Sequence, residues 1–282
     1  MNYTLYTTTA SHIVESDTIN GLYAGVISKF KHTSIERNNT LELQNTQLVL
    51  TNPRNRRLTL SCRNLPMVTQ IAEFAWYMLH TNHVVPILRY IPKWIDYSDD
   101  KISVNSNYGH AWQFQVYNAL DKLRLDIHTR QAIISIYDKA YLQYSGKDTP
   151  CTLNIVLSVV NNKFCMTVNM RSNDMFTGMP IDIFCFTALQ ELLYNTLKLF
   201  IPTLELGTYV HNAMSFHMYN QHKFILTAEL HDTRKHQHQI CDTTTYANFW
   251  SAKDAYFFDD TKRTPDYAHF MRFNLHNATH YK

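Results

Sequence analysis

DTPCTLNIVLSVVNNKFCMTVNMRSNDMFTGMPID, residues 148–182, is the segment from which the fold can be predicted. Two runs of alternating hydrophobicity, 153–160 and 163–170, are separated by Asn161 and Asn162. Asparagine tolerates a positive φ, so a two-residue asparagine turn between alternating runs predicts a β-hairpin. We therefore expect two adjacent antiparallel strands in the middle of a sheet-containing fold.

The predicted hairpin brings a thiol and a guanidinium together. Cys151 lies just before the first strand, and Arg171 ends the second. A cysteine acts as a nucleophile when nearby positive charge favours its thiolate, which Arg171 could supply. The same arginine, with the Ser172 hydroxyl beside it, could instead hold a phosphate. A lone cysteine after proline is more often a buried structural residue, so these residues alone leave both roles open.

Hydrophobic periodicity predicts elements around this hairpin. They are a strand over 41–50 after a polar loop (34–40), an amphipathic helix starting at Pro66, a helix from the turn at 105–109 to Leu123, a strand over 132–137, a helix over 184–200 and a strand-rich segment over 205–219. Glu73 lies near the apolar side of the Pro66 helix, where a carboxylate needs a partner. It is either a helix-surface residue at the edge of the core or a functional one.

Composition bounds the class of protein. The 282 residues are 45% hydrophobic and 17% charged, which favours a packed core over disorder. With 6 Gly, 8 Pro and no linker-like stretch, we predict one domain over residues 1–282, with about 20 N-terminal and about 50 C-terminal residues divergent. The formal net charge of +3 is too small to indicate nucleic-acid binding, so we expect no specific nucleic-acid partner.

Cysteine usage and hydropathy indicate a location. The five cysteines are odd in number and lack Cys-x-x-Cys spacing, which favours reduced intracellular thiols. The N-terminus resembles no secretory signal, and no apolar run is long enough for a membrane span, so we predict a cytoplasmic protein with no membrane partner. His231, His236 and His238 lack supporting Cys or carboxylate spacing, and we predict no metal site.

A longer ordered set of motifs resembles the thymidylate synthase family over about residues 20 to 225. The set is Pro150-Cys151, Arg171-Ser172-x-Asp174, Gly178-x-Pro180-x-Asp182, Phe184-Cys185-Phe186-Thr187 and His217-x-Tyr219, preceded by Glu73 with Trp76, then Trp94, Tyr108-Gly109 and Arg130. The resemblance implies a three-layer α/β (α+β) fold whose large twisted mixed sheet forms a homodimer interface. It also implies a pyrimidine nucleoside monophosphate substrate and 5,10-methylenetetrahydrofolate as one-carbon donor, with Cys151 adding to C6 of the base.

The same resemblance implies a role for each matched residue. Phosphate would be held by Arg37, Arg171 and Ser172, with Arg130 reaching the partner subunit's site; His217 and Tyr219 would bind the sugar; Glu73 and Tyr108 would assist proton transfer near the base; Trp94 and Asp174 would face the folate.

One departure from the family pattern concerns the base. Asp182 stands where ordinary thymidylate synthases have Asn. An amide complements the O4 acceptor and N3–H donor of uracil, whereas a carboxyl group complements the amino group and N3 of cytosine. Mismatched hydrogen bonds in such a site discriminate by up to ~10⁴-fold. We therefore predict a cytosine nucleotide and a catalytic role for Asp182 in protonating N3; a tolerated substitution in a uracil enzyme is the alternative.

Further departures concern the product. Thr152 replaces the usual His after the nucleophile, and residues 106–109 and 168–174 look more like the viral deoxycytidylate hydroxymethylase branch. Residues 273–282 lack the hydrophobic closing tail of the synthases, which favours hydration over hydride transfer. Gln131 replaces a second family arginine and puts one phosphate contact in doubt. Alternatives are a C5-methylase acting on dCMP or dUMP and a catalytically silent nucleotide- or RNA-binding relative.

Overall fold

The structure, a computed structural model, describes residues 12–63 and 65–232. Some of the predictions above concern residues outside the described part of the chain. These residues are His236, His238 and the segment 273–282.

The described residues form one seven-stranded mixed sheet, which confirms the predicted fold class. Its strands are β1 (His12–Ser16), β2 (Ile35–Arg37), β3 (Thr40–Leu50), β4 (Ile133–Ser135), β5 (Thr152–Val160), β6 (Lys163–Asp174) and β7 (Glu205–Tyr219). The order is β1-β3-β7-β6-β5-β4, and β2 pairs with β3. The β1–β3 and β6–β7 pairs are parallel, while the other pairs are antiparallel.

Paired asparagines form two hairpin turns. Asn161 and Asn162 have φ of 49° and 61°, and they connect β5 to β6 as the sequence predicts. Asn38 and Asn39, with φ of 46° and 63°, connect β2 to β3 in the same way. The prediction of a plain polar loop over 34–40 was therefore wrong, because the same left-handed turn chemistry operates at both positions.

The described part of the chain also contains seven α-helices. They are α1 (Ile19–Thr33), α2 (Met67–Met78), α3 (Val85–Leu88), α4 (Trp94–Tyr97), α5 (Tyr108–Trp112), α6 (Gln115–Leu125) and α7 (Gly178–Lys198). The single helix predicted up to Leu123 is two helices, α5 and α6. Helix α7 begins six residues before the predicted start at Phe184, so that Asp182 lies within its first two turns.

Helix α7 forms the middle of three layers. It is buried along most of its length, since it packs on β6 and β7 on one side and on α2 on the other. Buried apolar side chains of β6 and β7, among them Met166, Val168 and Phe216, face this layer. The site residues described below lie where α2, α7 and the ends of β6 and β7 meet.

The opposite side of the sheet, called here the open face, carries half-buried side chains. A row of amides crosses it over four adjacent strands. Gln47 donates to Asn212 (3.1 Å), Asn212 to Asn169 (2.9 Å) and Asn169 to Asn154 (2.7 Å). These residues are directly paired in the sheet register, so the hydrogen-bonded row follows from the strand alignment.

Candidate active site

A cavity of about 480 Å³ gathers ten of the twelve predicted site residues. They are Glu73, Trp94, Tyr108, Cys151, Arg171, Ser172, Asp174, Asp182, His217 and Tyr219. These residues come from α2, α4, α5, the β5–β6 hairpin, α7 and β7, which are distant in sequence. A cavity of this size, with convergent polar groups, is large enough for a nucleotide-sized ligand.

The two remaining arginines do not line the cavity. Arg37 lies in β2, where its Nη1 is 3.2 Å from Glu42 Oε1 and its side chain is 56% exposed. Arg130 is exposed in the segment before β4. It was expected to reach a partner subunit, and that role stays a prediction.

Arg171 connects the loop that contains Cys151 to β6. Its backbone N–H donates to the Cys151 carbonyl (2.8 Å). Its side chain donates from Nε to the Pro150 carbonyl (3.0 Å) and from Nη2 to the Thr149 carbonyl (2.7 Å). The hairpin therefore fixes the position of Cys151 through backbone contacts, with the guanidinium at the wall of the same cavity.

Burial controls the state of the Cys151 thiol. It raises the pKa of Cys151, and the carboxyl groups of Asp182 and Asp148 raise it further. The positive charge of Arg171 lowers this pKa but is outweighed. Arg171 therefore acts on the thiol in the direction that the sequence suggests, but in the ligand-free site desolvation is the larger effect and the pKa stays raised.

Asp148 joins the loop that leads to Cys151 to the loop that precedes Tyr108 at the start of α5. The buried carboxylate accepts from the Ser106 N–H (2.7 Å) and from the Ser106 hydroxyl. The Asn105 side chain donates to the Asp148 carbonyl (2.8 Å). Sequence reasoning did not predict this contact, because it joins segments about forty positions apart.

Two buried carboxyl groups face the cavity from α2 and α7. Burial raises the pKa of Glu73 to about 7, opposed by hydrogen bonds from Tyr77, whose hydroxyl is 2.8 Å from Oε1, and from Trp94. Burial also raises the pKa of Asp182 to about 8, and the Glu73 carboxylate adds to the increase. Asn173 donates to Asp182 Oδ2 at 2.7 Å. Near neutral pH this site can therefore hold and exchange protons.

The residues on β6 and β7 form a polar corner. Ser172 Oγ lies 3.3 Å from His217 Nδ1, and the His217 and Tyr219 rings are perpendicular at 5.3 Å. The Asp174 carboxylate accepts the N–H groups of Phe176 (3.0 Å) and Thr177 (3.2 Å), so it holds the turn that leads into α7.

An aromatic and cationic wall completes the cavity. The ring of Trp94 packs against Trp76 at 4.9 Å and edge-on against Tyr97 at 5.5 Å. Lys93 and Lys147, which sequence reasoning also missed, line the same cavity. Nothing in the local sequence distinguishes these lysines from solvated ones.

The described part of the chain holds no cluster of three or more His, Cys, Asp or Glu residues suited to a metal ion. None of the helices described is both long enough and apolar enough to cross a bilayer.

Comparison with known proteins places this geometry in context. The family model for thymidylate synthase matches residues 16–264. The deoxyuridylate hydroxymethyltransferase of Delftia phage PhiW-14 is 36% identical over 166 residues, which are 54% of this chain and 46% of that protein. The deoxycytidylate 5-hydroxymethyltransferase of Enterobacteria phage T6 is 28% identical over 181 residues, 58% of this chain and 73% of that protein.

The chain spans about half the length of the deoxyuridylate hydroxymethyltransferases that it matches. Among solved structures, thermostable thymidylate synthase A from Bacillus subtilis has a TM-score of 0.63 at 21% identity. The match covers 76% of this chain and 86% of that structure. At this level of identity the structural match shows a shared fold.

Proposed function

This chain belongs to the thymidylate synthase family, and on that basis we propose that it transfers a one-carbon unit to C5 of a pyrimidine nucleotide. The product we propose is the 5-hydroxymethyl nucleotide, and the substrate is dCMP. The observation that carries the proposal is that the Cys151 thiol and the Asp182 carboxyl group line one cavity. A nucleophile and a base-recognising carboxyl can thereby contact the same ring.

Nucleotide binding uses the polar wall of the cavity. Arg171, already held against the loop of the nucleophile, and Ser172 are proposed to contact the phosphate, because a guanidinium and a hydroxyl together offer several donors to phosphate oxygens. His217 and Tyr219 bind the sugar hydroxyl. Both lie at the end of β7, next to Ser172 in the sheet corner.

Base recognition depends on Asp182. The named relatives divide between deoxyuridylate and deoxycytidylate enzymes, so similarity alone does not select the base. With a pKa raised to about 8, Asp182 carries a proton at neutral pH and can offer one donor and one acceptor. This pair complements N3 and the 4-amino group of cytosine, and protonation at N3 makes the ring a better acceptor for the thiolate.

The one-carbon donor is proposed to bind beside the nucleotide. Trp94 and Tyr97 offer aromatic surface, Asp174 a carboxylate, and Lys93 and Lys147 positive charge. This set fits a flat heterocycle with an anionic tail. When bound, 5,10-methylenetetrahydrofolate supplies a carbon at the oxidation level of formaldehyde.

The residues of the chain carry the other steps. The Cys151 thiolate adds to C6 of the base, which makes C5 nucleophilic towards the one-carbon unit. Once the new carbon–carbon bond at C5 has formed, the proton leaves C5 with the help of Tyr108. Glu73, with a pKa raised to about 7, positions the water that adds to the exocyclic methylene of the base. Elimination of Cys151 from C6 regenerates the thiol. The overall reaction converts dCMP, 5,10-methylenetetrahydrofolate and one water into 5-hydroxymethyl-dCMP and tetrahydrofolate.

We also propose that the active form is a homodimer joined through the open face. Beside the row of amides runs a second row of paired residues, Val49, Val210, Thr167 and Val156, also half-buried. A flat face with one amide row and one β-branched row suits self-association about a two-fold axis. Arg130 is proposed to reach the partner's phosphate site.

The test is incubation of the protein with 5,10-methylenetetrahydrofolate and each of dCMP, dUMP, CMP and UMP, with products analysed by mass spectrometry. We expect dCMP to gain one CH₂O unit. A gain of one CH₂ unit would instead identify a methylase, and no covalent change with any nucleotide, under conditions in which the Bacillus subtilis synthase reacts, would refute the proposal. Asp182→Asn should shift the kcat/KM preference from dCMP towards dUMP; an unchanged ratio would refute the assignment of base recognition.

A further inference from the structure

A buried chain of hydrogen bonds extends from Asp182 into the core, away from the cavity. Asp182 Oδ2 is 2.7 Å from Asn173 Nδ2, Asn173 Oδ1 is 3.0 Å from His211 Nε2, and His211 Nδ1 is 2.9 Å from the Tyr209 hydroxyl. All four side chains are buried, His211 and Tyr209 completely. Only Asp182 and Asn173 line the cavity.

Such a chain has two self-consistent directions of donation. In the outward direction the Tyr209 hydroxyl donates to His211, His211 donates from Nε2 to Asn173, and Asn173 donates to Asp182. The inward direction requires the Asn173 amide to turn by 180°, so that its Oδ1 accepts from Asp182 Oδ2 and its Nδ2 donates to His211 Nε2; His211 then donates from Nδ1 to the phenolic oxygen. A neutral imidazole supports either direction, because one ring nitrogen donates while the other accepts.

The far end of the chain selects between the two directions. Within the described residues, the Tyr209 hydroxyl has one hydrogen-bond partner, His211 Nδ1. In the outward direction its proton is used in that bond. In the inward direction the proton is left in the core without an acceptor, which buried polar groups disfavour strongly. Burial also lowers the pKa of His211 to about 3, so the ring stays neutral and cannot donate from both nitrogens.

We propose that Tyr209 and His211 are positioning residues that fix the outward direction and thereby determine which oxygen of Asp182 offers a proton to the base. This inference rests on the proposed function of Asp182. Because Asn173 donates to Oδ2, that oxygen is an acceptor, and a proton on the carboxyl group must reside on Oδ1. The order of donor and acceptor along the carboxyl group is then set before any nucleotide binds.

The consequence is a specificity determinant outside the cavity. Cytosine and uracil present opposite orders of donor and acceptor at N3 and at the 4-substituent. A carboxyl group whose donor and acceptor oxygens are fixed distinguishes the two bases. A carboxyl group that can carry its proton on either oxygen can bind either base. A phenol that touches no ligand therefore contributes to the choice of base.

The central test compares the wild-type protein with Tyr209→Phe, which removes one oxygen. The ratio of kcat/KM for dCMP to that for dUMP should fall about tenfold, equivalent to about 1.4 kcal/mol. The ratio should fall mainly because kcat/KM for dUMP rises. A ratio within twofold of the wild type, in a protein that melts as one cooperative unit, would overturn the proposal.

A pair of histidine variants provides the matched control. His211→Gln places an amide donor where Nε2 lies, while His211→Asn places one nearer Nδ1. If the direction of donation towards Asn173 is what matters, Gln should retain more of the selectivity than Asn. Equal loss in both variants would assign His211 a purely structural part.

Nitrogen NMR of the histidine side chains tests the direction of the chain without any turnover. At neutral pH, His211, identified by the signal missing in His211→Gln, should carry its proton on Nε2, and Tyr209→Phe should give a mixture of the two neutral tautomers. A proton on Nδ1 in the wild type would overturn the inference. Failure of the proposed function would look different: calorimetric titration would then detect no binding of either nucleotide, whatever the tautomer.

Discussion

Replacing Asp182 by Asn should change how the stability of the ligand-free protein depends on pH. Asp182 is 7% exposed, and its burial together with the Glu73 carboxylate raises its pKa to about 8, from 3.8 for an unperturbed group. A raised pKa means that the folded protein holds this proton more tightly than the unfolded chain does. Its contribution is therefore fully present below the unfolded pKa and is lost as the pH rises towards the folded pKa.

The size of the effect follows from the number of protons involved. Between about pH 5 and pH 7, Asp182 is protonated in the folded protein and ionised in the unfolded chain. The free energy of unfolding should then fall by ~1.4 kcal/mol per pH unit from this group, on the order of 3 kcal/mol over the window. His211, whose pKa is lowered to about 3, has the opposite slope below about pH 6.5, but it is present in both proteins and cancels in their difference.

The assay is urea unfolding of wild-type protein and Asp182→Asn at several pH values from 5 to 8, without nucleotide, followed by tryptophan fluorescence. The variant should become more stable relative to the wild type as the pH rises. Asp121→Asn, at a carboxyl group that is 64% exposed, is the control for removing a charge at the surface. The reasoning would be refuted if the free energy of unfolding of Asp182→Asn minus that of the wild type stayed constant, or became more negative, as the pH rises.

Three further predictions concern other parts of the site. Arg130→Ala should lose activity and regain part of it when mixed with Cys151→Ala, because one site of each mixed dimer then has both residues; no recovery in a protein shown to exchange subunits would contradict a shared site. Gly109→Ala should lower the free energy of unfolding by on the order of 3 kcal/mol in a urea titration, since a Cβ there would lie 1.6 Å from the Tyr77 carbonyl oxygen; an unchanged midpoint would argue against this close approach. Asp148→Asn removes a charge that raises the pKa of Cys151, so iodoacetamide should alkylate Cys151 faster at neutral pH, as followed by peptide mass spectrometry, and an unchanged rate would show that the charge is screened.

The parts of the fold that the sequence predicts are those specified by local chemistry. The asparagine turn at Asn161 and Asn162, flanked by alternating residues, contains all the information that a hairpin needs. The long strand β7 was also predicted from its own residues, as a strand-rich segment over 205–219. The hairpin also brings Cys151 and Arg171 to one cavity wall, as its connectivity requires.

The elements that sequence reasoning missed depend on long-range packing. Helix α1 contains Gly21 and Gly25 and several β-branched residues, which weaken a helical signal, yet seven of its side chains are buried against the sheet. Strand β1 is short and is formed by parallel pairing with β3. Tertiary contacts override propensity in both cases.

In the site, the sequence predicts which residues take part but not their burial or their hydrogen-bond partners. The family resemblance predicted ten of the residues that line the cavity, while Arg37 and Arg130 lie outside it. Sequence reasoning could not predict the Asp148–Ser106 contact, the row of hydrogen bonds that begins at Asp182, or the raised pKa of Cys151. The burial of a side chain and its hydrogen-bond partners are set by the whole fold.

The strand order has a consequence for synthesis on the ribosome. Strand β3 pairs with β7 along its whole length, Thr40 with Tyr219 and Leu50 with Tyr209, so most of the chain must emerge before β3 acquires this neighbour. A nascent chain that ends before residue 205 therefore exposes an unpaired apolar edge, the kind of surface that chaperones bind and that aggregates when crowded. In a cell that produces this protein in large amounts, β3 would then have to be kept from other chains until β7 has been synthesised.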